Sequence, residues 1–263
     1  MSDSGGTNEY RPVTVEGKTA VVIGGTSGIG RAIAIGFAKD GADVVATSRS
    51  ESRVGDTAET LRAEGADTVE VTCDVIARET LESVRETVDA ELGGTDVLVN
   101  SPSSIARSDI ADATDAEWDA VFDVQLDGTR RATQVFAPEM EDGSIINVAS
   151  LSAELAMPEL AAYSTAKGGL GAFTRVAAQE FAPEVRVNAV RPGFIESKQT
   201  EGVYAEGMPR HDRIAERTAA GRLGHPEEII GAAIYLASDA ASYTTGEILT
   251  VDSGFTANTF VWD

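Results

Sequence analysis

Tyr163 and Lys167 stand four residues apart in Tyr163-Ser164-Thr165-Ala166-Lys167, and Ser150 follows the apolar run Ile145-Ile146-Asn147-Val148-Ala149, thirteen residues before the tyrosine. If 160–182 is helical, residues four apart share a face, so a phenol and an ammonium are held side by side. A neighbouring positive charge favours phenolate over phenol and draws the tyrosine pKa down from its ordinary value of about 10. The pair is expected to act as a proton donor at neutral pH.

A second chemical signal lies near the other end of the chain. Lys18-Thr19-Ala20-Val21-Val22-Ile23 reads as a buried strand and runs into Gly24-Gly25-Thr26-Ser27-Gly28-Ile29-Gly30, after which Arg31–Lys39 has a helical pattern. A strand, a glycine turn and a helix N-terminus aim backbone N–H groups and the helix dipole at a pyrophosphate, and missing β-carbons allow close approach. One glycine-rich turn is weak evidence. Here the spacing is Gly-x-x-x-Gly-x-Gly rather than the Gly-x-Gly-x-x-Gly of other dinucleotide folds, and together with Ser…Tyr-x-x-x-Lys it becomes specific.

On these residues the chain resembles the short-chain dehydrogenase/reductase family of soluble NAD(P)-dependent oxidoreductases, over about residues 15 to 256. Asp74-Val75, Asn100, Pro192-Gly193 and Val251-Asp252-Ser253-Gly254 match in order as well. The resemblance implies hydride transfer between a nicotinamide and a carbonyl or alcohol carbon. Ser150 would hydrogen-bond the substrate oxygen, Tyr163 would exchange a proton with it, and Lys167 would lower the tyrosine pKa and bind the nicotinamide ribose. It also implies that the turn from Gly24 through Thr26, Ser27, Gly28, Ile29 and Gly30 holds the cofactor. Asp74 and Val75 would face the adenine, Asn100 would brace the central strands, and Pro192, Gly193, Ile195 and Ser197 would lie along the nicotinamide. Asp74 could instead cap the next helix, but its place after Cys73 at a strand end favours the adenine.

Two departures from the family pattern bear on the proton path. Gln125 replaces the asparagine that bends the helix through Trp118–Val124 and positions a relay water. Its amide sits one methylene further out, which shifts the relay or leaves it to the backbone carbonyl. Ser101-Pro102-Ser103 replaces Asn-Ala-Gly after Asn100, stiffening a loop that normally approaches the nicotinamide. A local rearrangement is expected there.

These residues need a scaffold. Strand-length apolar runs near 18–24, 43–48, 68–72, 95–99, 144–148, 185–190 and 247–251 alternate with helical stretches at 28–39, 54–64, 77–92, 115–137, 160–182, 210–220 and 226–237. The pattern predicts an α/β Rossmann-type, doubly wound, parallel seven-stranded sheet with helices on both faces and the cofactor across the strands' carboxyl ends. With 263 residues, 42% of them hydrophobic, and no internal repeat or charged linker, one domain (13–263) is expected after a loose polar tail, 1–12. No run of 18 apolar residues and no basic signal-like start occurs, so neither a membrane partner nor export is expected, and the cytoplasm is the expected location. A single cysteine, Cys73, with histidines only at 211 and 225 leaves no ligand set for a metal.

The net charge is −22, with 43 acidic against 21 basic residues of which only Lys18, Lys39, Lys167 and Lys198 are lysines. Such self-repulsion destabilises a fold in dilute buffer, whereas at about 1 M salt the Debye length is roughly 3 Å. Adaptation to high salt is expected, and nucleic acid is a poor partner. After the second strand, Ser48-Arg49-Ser50 stands where an NAD-preferring protein typically carries an acid. An arginine fork backed by two hydroxyls suits a 2′-phosphate, so NADP is expected ahead of NAD.

For the substrate, the segment 196–221 after Pro192-Gly193 reads as a lid carrying Tyr204, and Ser152, Glu154 and Met157 lie between the catalytic serine and tyrosine. Glu154 could bind hydroxyls of a sugar. No basic cluster announces a phosphorylated carrier, so a sugar, sugar acid or other small polar carbonyl or alcohol is favoured over a 3-oxoacyl thioester. An NADP-sensing binding protein without turnover is the reading from another class, and it does not need Ser150, Tyr163 and Lys167 together. The resemblance further implies a homotetramer built on the 115–137 and 160–182 helices and on the C-terminal helix and strand, including Thr259–Trp262.

Overall fold

The computed structural model describes residues 10–196, 204 and 207–258. Apolar, mostly β-branched runs form six strands: β1 (Thr19–Ile23), β2 (Asp43–Thr47), β3 (Val97–Asn100), β4 (Gly143–Val148), β5 (Val185–Pro192) and β6 (Ile248–Val251). They form one parallel sheet in the order β2-β1-β3-β4-β5-β6. The chain runs outward from β1 to β2 and then crosses back to β3 on the other side of β1, which creates the switch point at the carboxyl end of β1.

Eight α-helices lie among the described residues: α1 (Gly28–Lys39), α2 (Glu51–Ala63), α3 (Arg78–Leu92), α4 (Asp115–Phe122), α5 (Gly128–Phe136), α6 (Ala161–Glu180), α7 (Pro209–Arg217) and α8 (Ile230–Ala237). Successive strand side chains point to opposite faces, so each strand feeds two cores. Val22, Val44, Val99 and Ile146 pack with Ile33, Phe37 and Leu236 of α1 and α8. Val21, Val45, Leu98 and Ile145 pack with Leu81, Phe136 and Ala177 of α3, α5 and α6. Burial on both faces is why the strands read as continuous apolar runs rather than alternating ones.

The expected strand at 68–72 does not form. The segment is held to β2 through Val44 N–H to the Asp67 carbonyl (3.1 Å) and Cys73 N–H to the Ser48 carbonyl (3.0 Å), with no ladder between these ends. Val69 and Val71 still pack against the second core, so their apolar alternation serves packing without sheet pairing. The expected helix 115–137 is divided. A capping box between Thr114 and Glu117 starts α4, five π-helical residues (Asp123–Asp127) follow, and α5 resumes at Gly128. A β-carbon at Gly128 would lie 2.7 Å from Val75 Cγ2, so glycine lets α5 approach the loop after Asp74.

A polar chain crosses the otherwise apolar interior. Asn100 Nδ2 donates to Asn147 Oδ1 (3.0 Å), Asn147 Nδ2 to Thr174 Oγ1 (3.0 Å), and Thr174 Oγ1 to the Leu170 carbonyl (2.8 Å), tying β3, β4 and α6 together. Asn147→Ala would leave the Asn100 amide without this acceptor in a buried setting. It should cost about 2 kcal/mol and lower Tm by roughly 4–8 °C, measured by thermal denaturation at constant salt.

Candidate active site

The carboxyl ends of the strands border one large cleft of about 1510 Å³, enough room for a dinucleotide and a substrate together. Ile23, Gly24, Val148, Ser150 and Pro192 all line it, and so do Tyr163 and Lys167 from α6. Helical spacing brings the last two together as expected, with Lys167 Nζ 5.8 Å from the Tyr163 ring centroid.

Ser150 precedes a short 3₁₀ turn (Leu151–Ala153) and accepts hydrogen bonds from the Ser152 N–H (3.2 Å) and Ser152 Oγ–H (3.1 Å). The neighbouring Ser150 hydroxyl favours the phenolate, yet burial of the phenol is the larger effect. The Tyr163 pKa is therefore raised above its ordinary value, by burial first and also by neighbouring Tyr204, with Ser150 opposing. The expected depression is not found, because Lys167 is itself buried and its ammonium points to the Val148 carbonyl (2.6 Å). Desolvation pulls the Lys167 pKa down to about 7, so the buried amine holds its proton far less tightly than an exposed lysine.

Among the expected substrate residues, Met157 and Tyr204 line the cleft, with Tyr204 set edge-on to Phe194 at 5.6 Å. Ser152 lies behind Ser150, almost fully buried and outside the cleft wall, and orients the serine hydroxyl. Glu154 is not part of the cleft wall and pairs with Arg191, whose Nη2 also donates to Thr250 Oγ1 (2.7 Å).

Gln125 also lies outside the cleft wall. Buried in the π-helical segment, its Nε2 donates to the Ser104 carbonyl (2.9 Å), and its backbone carbonyl accepts from Thr129 Oγ1 (3.0 Å). The longer side chain thus braces the loop after β3.

The glycine turn behaves in two ways. A β-carbon on Gly24 would fall 2.4 Å from the Ser101 carbonyl oxygen, and one on Gly30 would fall 2.4 Å from the Gly24 oxygen, so these two glycines interlock the turn with the loop after β3. Gly28 has φ +51° and nothing within 4 Å of a β-carbon position, so its bareness opens onto the cleft. Ser27, the N-cap of α1, makes no capping bond with its side chain, leaving the helix N-terminus for a ligand. Thr26 and Ile29 share that wall. The donor set fits a pyrophosphate.

At the far end of the cleft lie Ser48, Arg49, Asp74 and Val75. Asp74 is not a helix cap, since Ala77 caps α3. Ser50 stays out of the cleft wall, because its hydroxyl caps α2 by accepting from the Arg53 N–H (3.4 Å). Arg53 lines the cleft as well, and neither its guanidinium nor that of Arg49 has a partner among the described residues. Asn100 sits beneath the cleft as a brace, bonded to Asn147. Pro192, Gly193 and Ile195 line the opposite wall, where the Gly224 N–H bonds the Phe194 carbonyl (2.9 Å). Ser197, the rest of the lid's first part (198–203, 205 and 206) and Thr259–Trp262 lie outside the described residues, whereas the lid's second part, 207–221, contains α7.

Sequence reasoning also missed Arg107. It lies on the rim of the cleft, and its signal was an isolated basic residue after the β3 loop in an acid-rich chain. Among the described residues no group of metal-binding side chains occurs, and no helix is long and apolar enough to cross a membrane.

The family model described as "Enoyl-(Acyl carrier protein) reductase" matches residues 24–256. A 2-dehydro-3-deoxy-D-gluconate 5-dehydrogenase of Pseudoalteromonas atlantica is 36% identical over 247 residues, covering 92% of this chain and 97% of that protein. A 3-oxoacyl-[acyl-carrier-protein] reductase of Thermotoga maritima is 33% identical, covering 91% and 98%. The crystal structure of a gluconate 5-dehydrogenase from Burkholderia cenocepacia with NADP and tartrate superposes with a TM-score of 0.88 at 31% identity, covering 93% and 97%.

The buried lysine has a measurable signature. Its folded pKa of about 7 lies below the ordinary value of about 10.4, so as pH falls from 10 to 7 the unfolded chain takes up a proton that the folded one resists. Ligand-free protein should therefore gain stability from pH 7 to pH 10, by roughly 2–4 kcal/mol more than Lys167→Met does. Parallel pH–stability curves for the two proteins in denaturant would contradict the assignment.

Proposed function

The chain belongs to the short-chain dehydrogenase/reductase family, and on that premise we propose that it is an NADP(H)-dependent enzyme interconverting the carbonyl and alcohol of a sugar acid or similar small polar substrate. It is an NAD(P)-dependent oxidoreductase acting on CH–OH groups. The observation that carries the proposal is the convergence of Ser150, Tyr163 and buried Lys167 on the same cleft as the glycine turn.

The nicotinamide cofactor, when bound, supplies or takes up the hydride. Ser150, its oxygen already accepting two hydrogen bonds from Ser152, directs its own proton toward the reacting oxygen and holds it beside Tyr163. Tyr163 gives that oxygen a proton during reduction and takes one during oxidation. Lys167, when protonated, favours the phenolate that remains. Two hydroxyls in a largely protein-walled cleft polarise the substrate oxygen.

The cofactor would be held by the turn around Gly28 and the N-terminus of α1 at the pyrophosphate, by Asp74 at the adenine, and by Ile195 near the carboxamide. Arg49, assisted by Arg53, favours NADP over NAD by offering unpaired guanidinium groups to a 2′-phosphate. The sugar-acid reading draws support from the relatives named above and from the polar cleft wall of Ser103, Ser104 and Arg107 near Tyr163. Assembly as a homotetramer through α4–α5 and α6 accords with the exposed Trp118, stacked on Phe122 at 5.1 Å, and with exposed Val176. The −22 charge supports work at high salt.

The test is a screen in concentrated KCl, following NADPH oxidation and NADP reduction with sugar acids, sugars, ketones and 3-oxoacyl thioesters. Turnover of sugar acids is expected. Thioester-only turnover would favour the acyl reductase reading, and cofactor binding without any turnover would favour a sensor. Tyr163→Phe should lower kcat by about 10²–10⁴-fold while cofactor affinity changes by less than about twofold. Arg49→Asp should weaken NADP by about 10- to 100-fold and NAD far less, and equal weakening in titrations of the two would exclude a phosphate contact.

A further inference from the structure

Acidic side chains outnumber basic ones, and most arginines find partners: Arg62 pairs with Glu70, Arg85 with Asp89, Arg131 with Asp123, Arg191 with Glu154 and Arg222 with Glu228. Arg107 is different. Its side chain has no hydrogen bond or ion pair among the described residues, and it stands on the rim of the catalytic cleft. Arg49 and Arg53 share that condition, but they sit with Ser48 at the end of β2, where the 2′-phosphate is proposed. Arg107 belongs to the opposite end. The Ser108 N–H bonds the Glu159 carbonyl (3.1 Å), and Ser108 forms an isolated bridge with Leu160, so residue 107 is pinned beside the start of α6, three residues before Tyr163.

The loop that carries it is held from below as well. Its near end is locked to the turn by the contact between Gly24 and the Ser101 carbonyl, and its middle by the Gln125 amide on the Ser104 carbonyl. Asparagine at 125, one methylene shorter, does not reach as far. The same Gln125 amide also reaches Ser103 Oγ (3.5 Å), one of the residues by which the loop departs from the family pattern.

We propose that Arg107 determines substrate specificity by binding a carboxylate of the substrate with its guanidinium, and that Gln125 is the positioning residue that fixes the 101–108 loop for this contact. The proposal rests on the sugar-acid reading and adds to it the group that reads the acid. The planar fork matches a carboxylate with two parallel hydrogen bonds. At a cleft rim in a strongly acidic protein, an unpaired cation also offsets the repulsion an anionic substrate meets on approach.

The experiment compares wild type, Arg107→Gln, Gln125→Asn and Gln125→Ala in concentrated KCl. Each is assayed with gluconate and 5-ketogluconate against the neutral analogues sorbitol and fructose, with NADPH affinity measured in parallel. Arg107→Gln should raise KM for the acids by about 10- to 100-fold, leave kcat within about threefold, and change neutral analogues and NADPH affinity by less than about twofold. Both Gln125 variants should raise the acid KM in the same sense with the pH profile of kcat unchanged.

If wild type shows no preference for acids over neutral analogues, the sugar-acid reading and this proposal fall together. If wild type prefers acids and Arg107→Gln keeps their KM, the proposal alone falls. A weakened NADPH affinity in Arg107→Gln would place the arginine on the cofactor and overturn it too. A Gln125 variant that loses kcat or shifts its pH profile at unchanged KM would return the residue to proton relay and overturn the positioning role.

Discussion

The structure depends on the common level at which its parallel strands end. Ile23 pairs in register with Thr47 on one side and Asn100 on the other, Asn100 with Asn147, and Val148 with Val190. Because every strand runs the same way, each connecting loop leaves from this edge, and the groups that cannot be part of the ladder collect there. Two apolar layers hold the sheet from both faces, leaving its edge as the place where polar chemistry meets solvent.

Within that edge the most costly group is Lys167. An ammonium surrounded by protein loses hydration, and a single short bond to the Val148 carbonyl does not restore it, which is why its proton is held so loosely. The same burial raises Tyr163, so the two groups oppose ionisation for one reason with opposite results: the phenol keeps its proton and the amine gives its own up. A bound anionic ligand would add negative potential to this region and favour the protonated amine, coupling occupancy of the cleft to the charge of its floor.

Much of this was legible in the sequence because it rests on local rules. The strand–turn–helix at 18–39, the placing of Tyr163 and Lys167 on one helical face, and the α/β alternation follow from period and spacing. The missing strand at 68–72 was not legible, since its valines have the right alternation for packing, and pairing depends on how the segment approaches β2. The tyrosine shift was misjudged because spacing reports a neighbouring charge but not the burial that outweighs it. Glu154 and Ser50 have partners that the sequence did not show. Their chemistry suited a ligand, but Arg191 and the backbone of α2 engage them first. Arg107 was overlooked because nothing in its neighbours shows that a bridge between Ser108 and Leu160 holds its loop to the start of α6.

The interlock between the glycine turn and Ser101 separates what can vary from what cannot. Backbone at 24, 30 and 101 meets without intervening side chains, so the path of both loops is dictated by mutual contact and is indifferent to whichever molecule occupies the cleft. The side chains from 103 to 107 escape that restriction. Substitutions there can reshape one wall of the cleft while the path of the glycine turn is inherited intact.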